Sequence, residues 1–289
     1  MKGKKLEACN SNGDKDNMKD KNSHNAKPKK VFGTMEWAAH NINIQTGCEH
    51  GCLYCYAQCM STRFKRSTPA TWRTPVVRRE VLSKDYRKMR GTIMFPTTHD
   101  IMESNLDNCL VLLKKVLKVG NEVLVVSKPH LKCIQRLCEE LKDYKNQILF
   151  RFTIGSADDK ILAFWEPDAP SYQERLASLE WAWRQGFKTS VSSEPMLDGH
   201  IKKVVDAARP YVTDAIWLGR VNNIRQILAQ NASGNSSARA KADALMALQT
   251  DSWVMALYDT YKSDPVIKFK DSIKQVVGIK RPTQKGLDI

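Results

Sequence analysis

The sequence predicts an α/β protein built as a partial barrel of parallel strands, and three observations carry that expectation. Strand-like and helix-like segments alternate in order from residue 31 onward, with no self-similarity at periods of roughly 20–50 residues. Parallel strands need crossover connections, and six strand-helix units in series curl such a sheet toward a barrel. A tight cysteine cluster follows the first strand, at the face where ligand sites of these barrels lie. The 289 residues, 42% apolar and 27% charged, are enough for one large α/β domain or two small ones.

Each element follows from its pattern. Ile42 and Ile44 alternate with polar residues and give a first short strand ending at Gly47. Thr92–Phe95 is the second strand, followed by a helix whose Leu106, Cys109, Leu110, Leu113 and Leu117 share a face. Val123–Val126 is the third, and Leu131, Ile134, Leu137, Cys138 and Leu141 mark the helix after it. Ile148–Ile154 is the fourth, before a helix opened by Ser171-Tyr-Gln-Glu174, the spacing of a reciprocal capping box. Gly186 closes that helix, Phe187–Val191 is the fifth strand, and a helix near Lys202–Ala208 leads to a sixth at Val212–Leu218. Beyond Val221 the chain reads as mostly helical, broken by a loop at Asn231–Ser237, with Ala238–Tyr261 packed on the barrel.

Residues 1–30 hold nine Lys against four acids and few large apolar side chains, which predicts a flexible basic tail. The expected organisation is therefore a tail over 1–30, the partial barrel over 31–220 and a mostly helical C-terminal extension over 221–289. Lys and Arg number 46 against 31 acids, a net charge of +15 that makes DNA or RNA a candidate partner. No apolar run approaches the roughly 18 residues that span a bilayer, so no membrane association is expected. The start lacks the apolar stretch of a secretory signal, and its acids without Arg argue against a mitochondrial presequence. A cytoplasmic location is the expectation.

Three of the eight cysteines fall in Cys48-Glu-His-Gly-Cys52-Leu-Tyr-Cys55, a spacing typical of metal ligation in a reducing compartment. Three thiolates on one loop hold three irons of a 4Fe–4S cluster and leave the fourth open to a chelating ligand such as S-adenosylmethionine (SAM). The alternative is a nonenzymatic nucleic-acid-binding protein with a zinc ion held by Cys48, Cys52, Cys55 and Cys59. Zinc sites more often come as two separated C-x2-C pairs.

The string Gly47-Cys-Glu-His-Gly-Cys-Leu-Tyr-Cys-Tyr-Ala57 resembles the signature of the radical SAM superfamily. Thr97–Ile101, Val126–Lys128, Phe150–Thr153 and Glu166–Ser171 with Arg175-Leu176 resemble successive segments of its spore photoproduct lyase-like branch. The resemblance covers roughly residues 40–220 and implies a partial (β/α)6 barrel. It also implies cleavage of SAM to methionine and a 5′-deoxyadenosyl radical that abstracts a substrate hydrogen, with an electron donor such as flavodoxin or ferredoxin. By resemblance, Lys128 and Thr153 contact the methionine carboxylate and Tyr54 sits beside the adenine. The bland readings are a surface Lys, a strand Thr and an aromatic packed on its loop.

Asp100 and Glu194 project from the same predicted face, where carboxylates accept hydrogen bonds from ribose hydroxyls or the amino group of SAM. A Glu before Pro195 also suits a helix cap. His50 and His99 flank the cluster and read as exposed loop histidines, with proton shuttling the alternative. Cys109 and Cys138 read as core, Cys133 as lying on a more polar flank, and Cys9 belongs to the tail. No catalytic residue is assigned. Cys59, the free thiol nearest the chemistry, suits helix packing better than hydrogen-atom donation. True spore photoproduct lyases carry a hydrogen-donating cysteine just before the segment matching Asp100-Ile101, and here that stretch is Pro96-Thr-Thr-His99. A hydroxyl O–H bond is too strong to replace that thiol as a hydrogen-atom donor, so spore-lesion repair by that relay is not expected, and fold alone does not fix substrate.

Overall fold

The computed structural model describes residue 31 and residues 33–287, so the predicted tail over 1–30 lies outside the described residues. In chain order the strands are β1 (His40–Asn41), β2 (Gln45–Thr46), β3 (Val76–Val77), β4 (Ile93–Phe95), β5 (Val123–Ser127), β6 (Ile148–Thr153), β7 (Lys188–Ser193), β8 (Ile216–Leu218) and β9 (Ile267–Phe269). The helices are α1 (Tyr56–Arg63), α2 (Pro69–Trp72), α3 (Arg79–Ser83), α4 (Leu106–Lys118), α5 (Leu131–Glu140) and α6 (Asp159–Trp165). They continue with α7 (Tyr172–Arg184), α8 (Ile201–Ala208), α9 (Ile224–Asn231), α10 (Ser236–Leu248), α11 (Asp251–Tyr261) and α12 (Asp271–Val277).

Seven strands join one sheet in the order β1-β4-β5-β6-β7-β8-β9, and every neighbouring pair is parallel. The expected partial barrel with helical additions is what forms. Side-chain alternation divides the strands into two layers. Ile93, Phe95, Val123, Val125, Phe150 and Phe152 join the apolar faces of the surrounding helices in the main core. Met94, Leu124 and Trp217 turn the other way and pack with Trp37, Ala38 and Ala215. Arg151 fills this inner layer, with its guanidinium 4.7 Å from the Trp37 ring centroid and 5.3 Å from that of Trp217. Its Nη2 lies 2.9 Å from Asp214 and its Nε donates to Ser190 Oγ, so the buried charge is paired and bonded.

Four expectations need correction. The first strand is not one ladder through Ile42 and Ile44 but two short pieces, β1 on β4 and β2 antiparallel to β3. Between them Asn43 Oδ1 accepts from Thr97 N and Thr98 N, and Ile44 N donates to His99 Nε2, so side chains replace the ladder. The sixth strand begins at Ile216 rather than Val212, because Thr213 and Thr189 exchange backbone-to-hydroxyl hydrogen bonds ahead of it. The C-terminal region contributes a strand as well as helices: β9 pairs with β8, and its three-residue Ile-Lys-Phe is too short to carry a period. Finally, Ser171 Oγ accepts from Glu174 N at 3.2 Å, but Glu174 Oε1 accepts from Leu131 N at 3.0 Å. Only half of the capping box forms, and the Glu ties α7 to α5 instead. Ser171→Ala should cost about 1 kcal/mol of stability, measured by urea unfolding.

Candidate functional site

The carboxyl ends of the parallel strands open into a cavity of about 910 Å3. Cys48, Cys52, Tyr54 and Cys55 line it from the loop after β2, Asp100 from the loop after β4, and Lys128, Thr153 and Glu194 from just beyond or at the ends of β5, β6 and β7. All eight of the predicted binding residues thus come to one cavity. Cys59 does not line it; it lies one turn into α1, half-buried.

The cysteine loop is held from several sides. Cys48 N donates to Trp72 O, Cys55 N to Cys52 O, and Leu53 N to Trp165 O. Gly47 sits at φ +103, and a Cβ there would come within 2.6 Å of Trp72 O, so the turn into the loop requires glycine. Cys55 is the N-cap of α1, and its Sγ accepts from Gln58 N at 3.4 Å. A negative sulfur is favoured there by the helix dipole. Burial, with the Asp100 charge assisting, pushes the Cys48 thiol up to about 12. Burial also raises Cys52 well above its ordinary value against the pull of Lys128, and raises Cys55 against its backbone hydrogen bonds. A cation is what would draw these protons off.

Asp100 organises one wall. Its Oδ1 accepts from Lys128 N at 2.8 Å and Ser127 Oγ at 3.1 Å, while its Oδ2 lies 2.9 Å from His50 Nδ1 and 3.4 Å from Lys128 Nζ. Burial alone would raise the carboxyl, but the Lys128 and His50 charges hold it well below the usual range. Burial opposes the Lys128 charge, but Asp100 together with Cys52, Tyr54 and Glu166 more than offsets this and keeps the ammonium well above its ordinary value. The Lys128 ammonium also lies 5.8 Å from the Tyr54 ring centroid.

A second chain of contacts ties the cysteine loop to β6. The Tyr54 hydroxyl donates to Glu166 Oε1, and Arg175 Nη2 donates to Glu166 Oε2. Arg175 also donates through Nε to Pro170 O at 2.8 Å and through Nη1 to Thr153 O at 3.2 Å. Glu166 and Arg175 are both fully buried. The Thr153 hydroxyl makes no hydrogen bond among the described residues, and the residue lines the cavity. Glu194 lies 3.6 Å from Lys270, and burial raises its carboxyl despite that charge.

Several placements depart from the sequence reading. His50 and His99 are buried rather than exposed, His50 between Asp100 and His130 Nε2 at 2.9 Å, and His99 against Phe95. A loop that wraps a barrel mouth buries what a linear reading exposes. Cys133 is fully buried, because α5 turns it into the core. Sequence reasoning gave no role to Glu166, Arg175, His130 or Lys270. The Glu166 and Arg175 segments were visible as family-like strings, but their pairing across α6 and α7 has no local signal. Lys270 reaches the cavity from beyond β9, where it also pairs with Glu36 and sits 3.9 Å from the Trp37 ring centroid.

The sequence profile of the Radical SAM superfamily matches residues 42–219, and the chain belongs to that superfamily. A curated relative, the uncharacterized protein ORF301 of Acidianus two-tailed virus, is 26% identical over 172 residues, 55% of this chain and 56% of its own. The chain therefore spans about half the length of that relative. A spore photoproduct lyase complexed with dinucleoside spore photoproduct aligns with TM-score 0.50 at 14% identity, over 73% of this chain and 65% of that one. SuiB of Streptococcus suis bound to S-adenosylmethionine aligns with TM-score 0.50 at 9% identity, over 83% and 52% of the two chains. At these identities the structural likenesses establish a shared fold.

Proposed function

We propose that the protein is a radical SAM enzyme that holds a 4Fe–4S cluster through Cys48, Cys52 and Cys55 and binds SAM in the same cavity. The observation that carries this reading is the convergence of the three thiols on one 910 Å3 cavity at the ligand face of a radical SAM barrel, with Cys59 outside its wall. A zinc ion with thiolates at about 2.3 Å would need four sulfurs about 3.8 Å apart. Among the described residues, the one set of three His, Cys, Asp or Glu donors that converges within 4.8 Å is Cys48, His50 and Asp100. The donor set fits a multi-iron cluster with an open coordination position.

When bound, the cluster supplies the electron that breaks the S–C5′ bond of SAM and yields methionine and a 5′-deoxyadenosyl radical. The chain's own residues bind, orient and exclude water. Lys128 offers a cation and Thr153 a free hydroxyl to the carboxylate of SAM. Asp100, its oxygens already bonded to Lys128, Ser127 and His50, orients Lys128 rather than reaching for the ribose. Glu194, held on one side by Lys270, offers its carboxylate to the amino group or ribose. Tyr54, fixed by Glu166, walls the adenine side.

A low-potential donor such as flavodoxin or ferredoxin supplies the electron, and a reducing cytoplasm keeps the thiols free. No helix of the described residues is long and apolar enough to cross a membrane. The surplus positive charge favours nucleic acid as the substrate class, and Pro96-Thr-Thr-His99 offers no thiol to return a hydrogen atom.

Adding SAM to the anaerobically reconstituted, dithionite-reduced protein should alter the electron paramagnetic resonance of the cluster. An unchanged signal from a fully loaded cluster would contradict the shared cavity. Thr153→Val should weaken SAM binding about fivefold, the worth of one net hydrogen bond, without lowering the melting temperature.

A further inference from the structure

The positive charge of this chain is concentrated in two places. Residues 63–90 carry ten Lys and Arg against two acids, the segment 1–30 carries nine against four, and the remaining 27 basic and 25 acidic residues nearly cancel. The first 17 residues of the internal segment, 63–79, hold Arg63, Lys65, Arg66, Arg73, Arg78 and Arg79 and no acid. Arg73 pairs with Asp168 and Arg78 with Glu80. Arg63, Lys65, Arg66 and Arg79 are exposed and form no ion pair among the described residues.

This segment is built onto the cysteine loop. Trp72 O accepts from Cys48 N, the Arg73 guanidinium lies against Gly51, and β3 pairs with β2 immediately before the loop. Helix α1 links the two regions: its first residue, Tyr56, lines the cavity and is 49% exposed, and its C-cap is Phe64, 55% exposed. Eight residues of helix place Phe64 about 12 Å along the axis from Tyr56. Arg63 and Arg66 lie over the Phe64 ring at 6.0 and 5.5 Å from its centroid. An exposed aromatic ring beside two unpaired guanidinium groups presents flat, cationic surfaces of the kind on which unstacked bases rest.

The geometry points to residues 63–79 as a docking surface for single-stranded nucleic acid, leading the strand along α1 toward the cavity. The inference rests on the nucleic-acid substrate class above and adds where and in what form that substrate is held. Arg63, Lys65, Arg66 and Arg79 contact phosphates, and Phe64 with its flanking guanidinium groups carries a base. A single strand is favoured over a duplex because a stacking platform needs an unpaired base, and the charges are spread over the end of α1, the turn after it and the first residue of α3 rather than along the polar face of one membrane-surface helix.

The test measures fluorescence anisotropy of the full-length reconstituted protein with a labelled 20-nucleotide oligo-dT across a salt series. It reads binding without SAM cleavage, so failure of the radical reading leaves the result standing. The fourfold variant Arg63→Gln, Lys65→Gln, Arg66→Gln, Arg79→Gln should bind at least tenfold more weakly at 0.1 M salt. Its log Kd against log salt slope should fall by about 3, at about 0.7 per lost single-strand phosphate contact. Phe64→Ala should weaken binding at least fivefold with the slope unchanged. The control removes four exposed lysines elsewhere, Lys118, Lys142, Lys160 and Lys203, and should bind as wild type. Equal loss in the control and the fourfold variant, tighter binding to a duplex of the same length, or preference for phosphatidylserine vesicles would each overturn the assignment. Since every variant retains residues 1–30, that segment contributes equally throughout.

Discussion

Cys52→Ala should leave the protein pale after anaerobic iron–sulfur reconstitution, with iron content reduced from about four per chain to below one. Removing one of three thiolates leaves two ligands on the loop, and His50 cannot substitute because its Nδ1 is committed to Asp100 and its Nε2 to His130. The same holds for Cys48→Ala and Cys55→Ala. Cys59→Ala should retain the brown colour and the iron, because that sulfur is off the cavity wall. Iron analysis and the visible spectrum of the four variants separate the cluster reading from the four-thiolate zinc reading. Under the zinc reading Cys59→Ala would be as damaging as the others and the wild type would be colourless.

Arg175→Met should lower stability by about 3–5 kcal/mol, the largest effect expected of any single replacement away from the cysteines. The guanidinium is fully buried and bonds Glu166, Pro170 O and Thr153 O at once, so its loss strands a buried carboxylate and two carbonyls. At roughly 2–4 °C per kcal/mol for a domain of this size, the melting temperature should fall by about 10 °C in circular dichroism. The double variant Glu166→Gln with Arg175→Met should recover part of the loss, since it leaves no unpaired charge. Burial pushes the Glu166 carboxyl up, but Arg175 and Lys128 hold it below its ordinary value. The stabilisation from this pair is therefore present above the unfolded carboxylate value of about 4.3 and is lost as pH falls through the lower folded one.

What the sequence made legible was whatever repeats locally. Leu106, Leu110, Leu113 and Leu117 on one face and the alternation through Ile148–Thr153 encode their own elements, so α4 and β6 lie close to where their periods put them. The C-x3-C-x2-C spacing is likewise a local fact about one loop. The burial of His50 and the Tyr54–Glu166–Arg175 chain depend on residues brought together from separate crossovers, and no spacing in one segment records them. Strand β9 illustrates the same limit: three residues carry no period, and its pairing with β8 is set by how α9 to α11 return the chain to the sheet edge. Lys270 enters the cavity only because of that return.

Formation of 5′-deoxyadenosine is the most direct test of a radical SAM reaction at this site. Reconstituted wild-type protein incubated anaerobically with SAM and dithionite should yield it, detected by chromatography and mass spectrometry, while Cys52→Ala yields none. A wild type that loads iron and binds SAM yet forms no 5′-deoxyadenosine, with or without single-stranded nucleic acid, would contradict the proposed reaction.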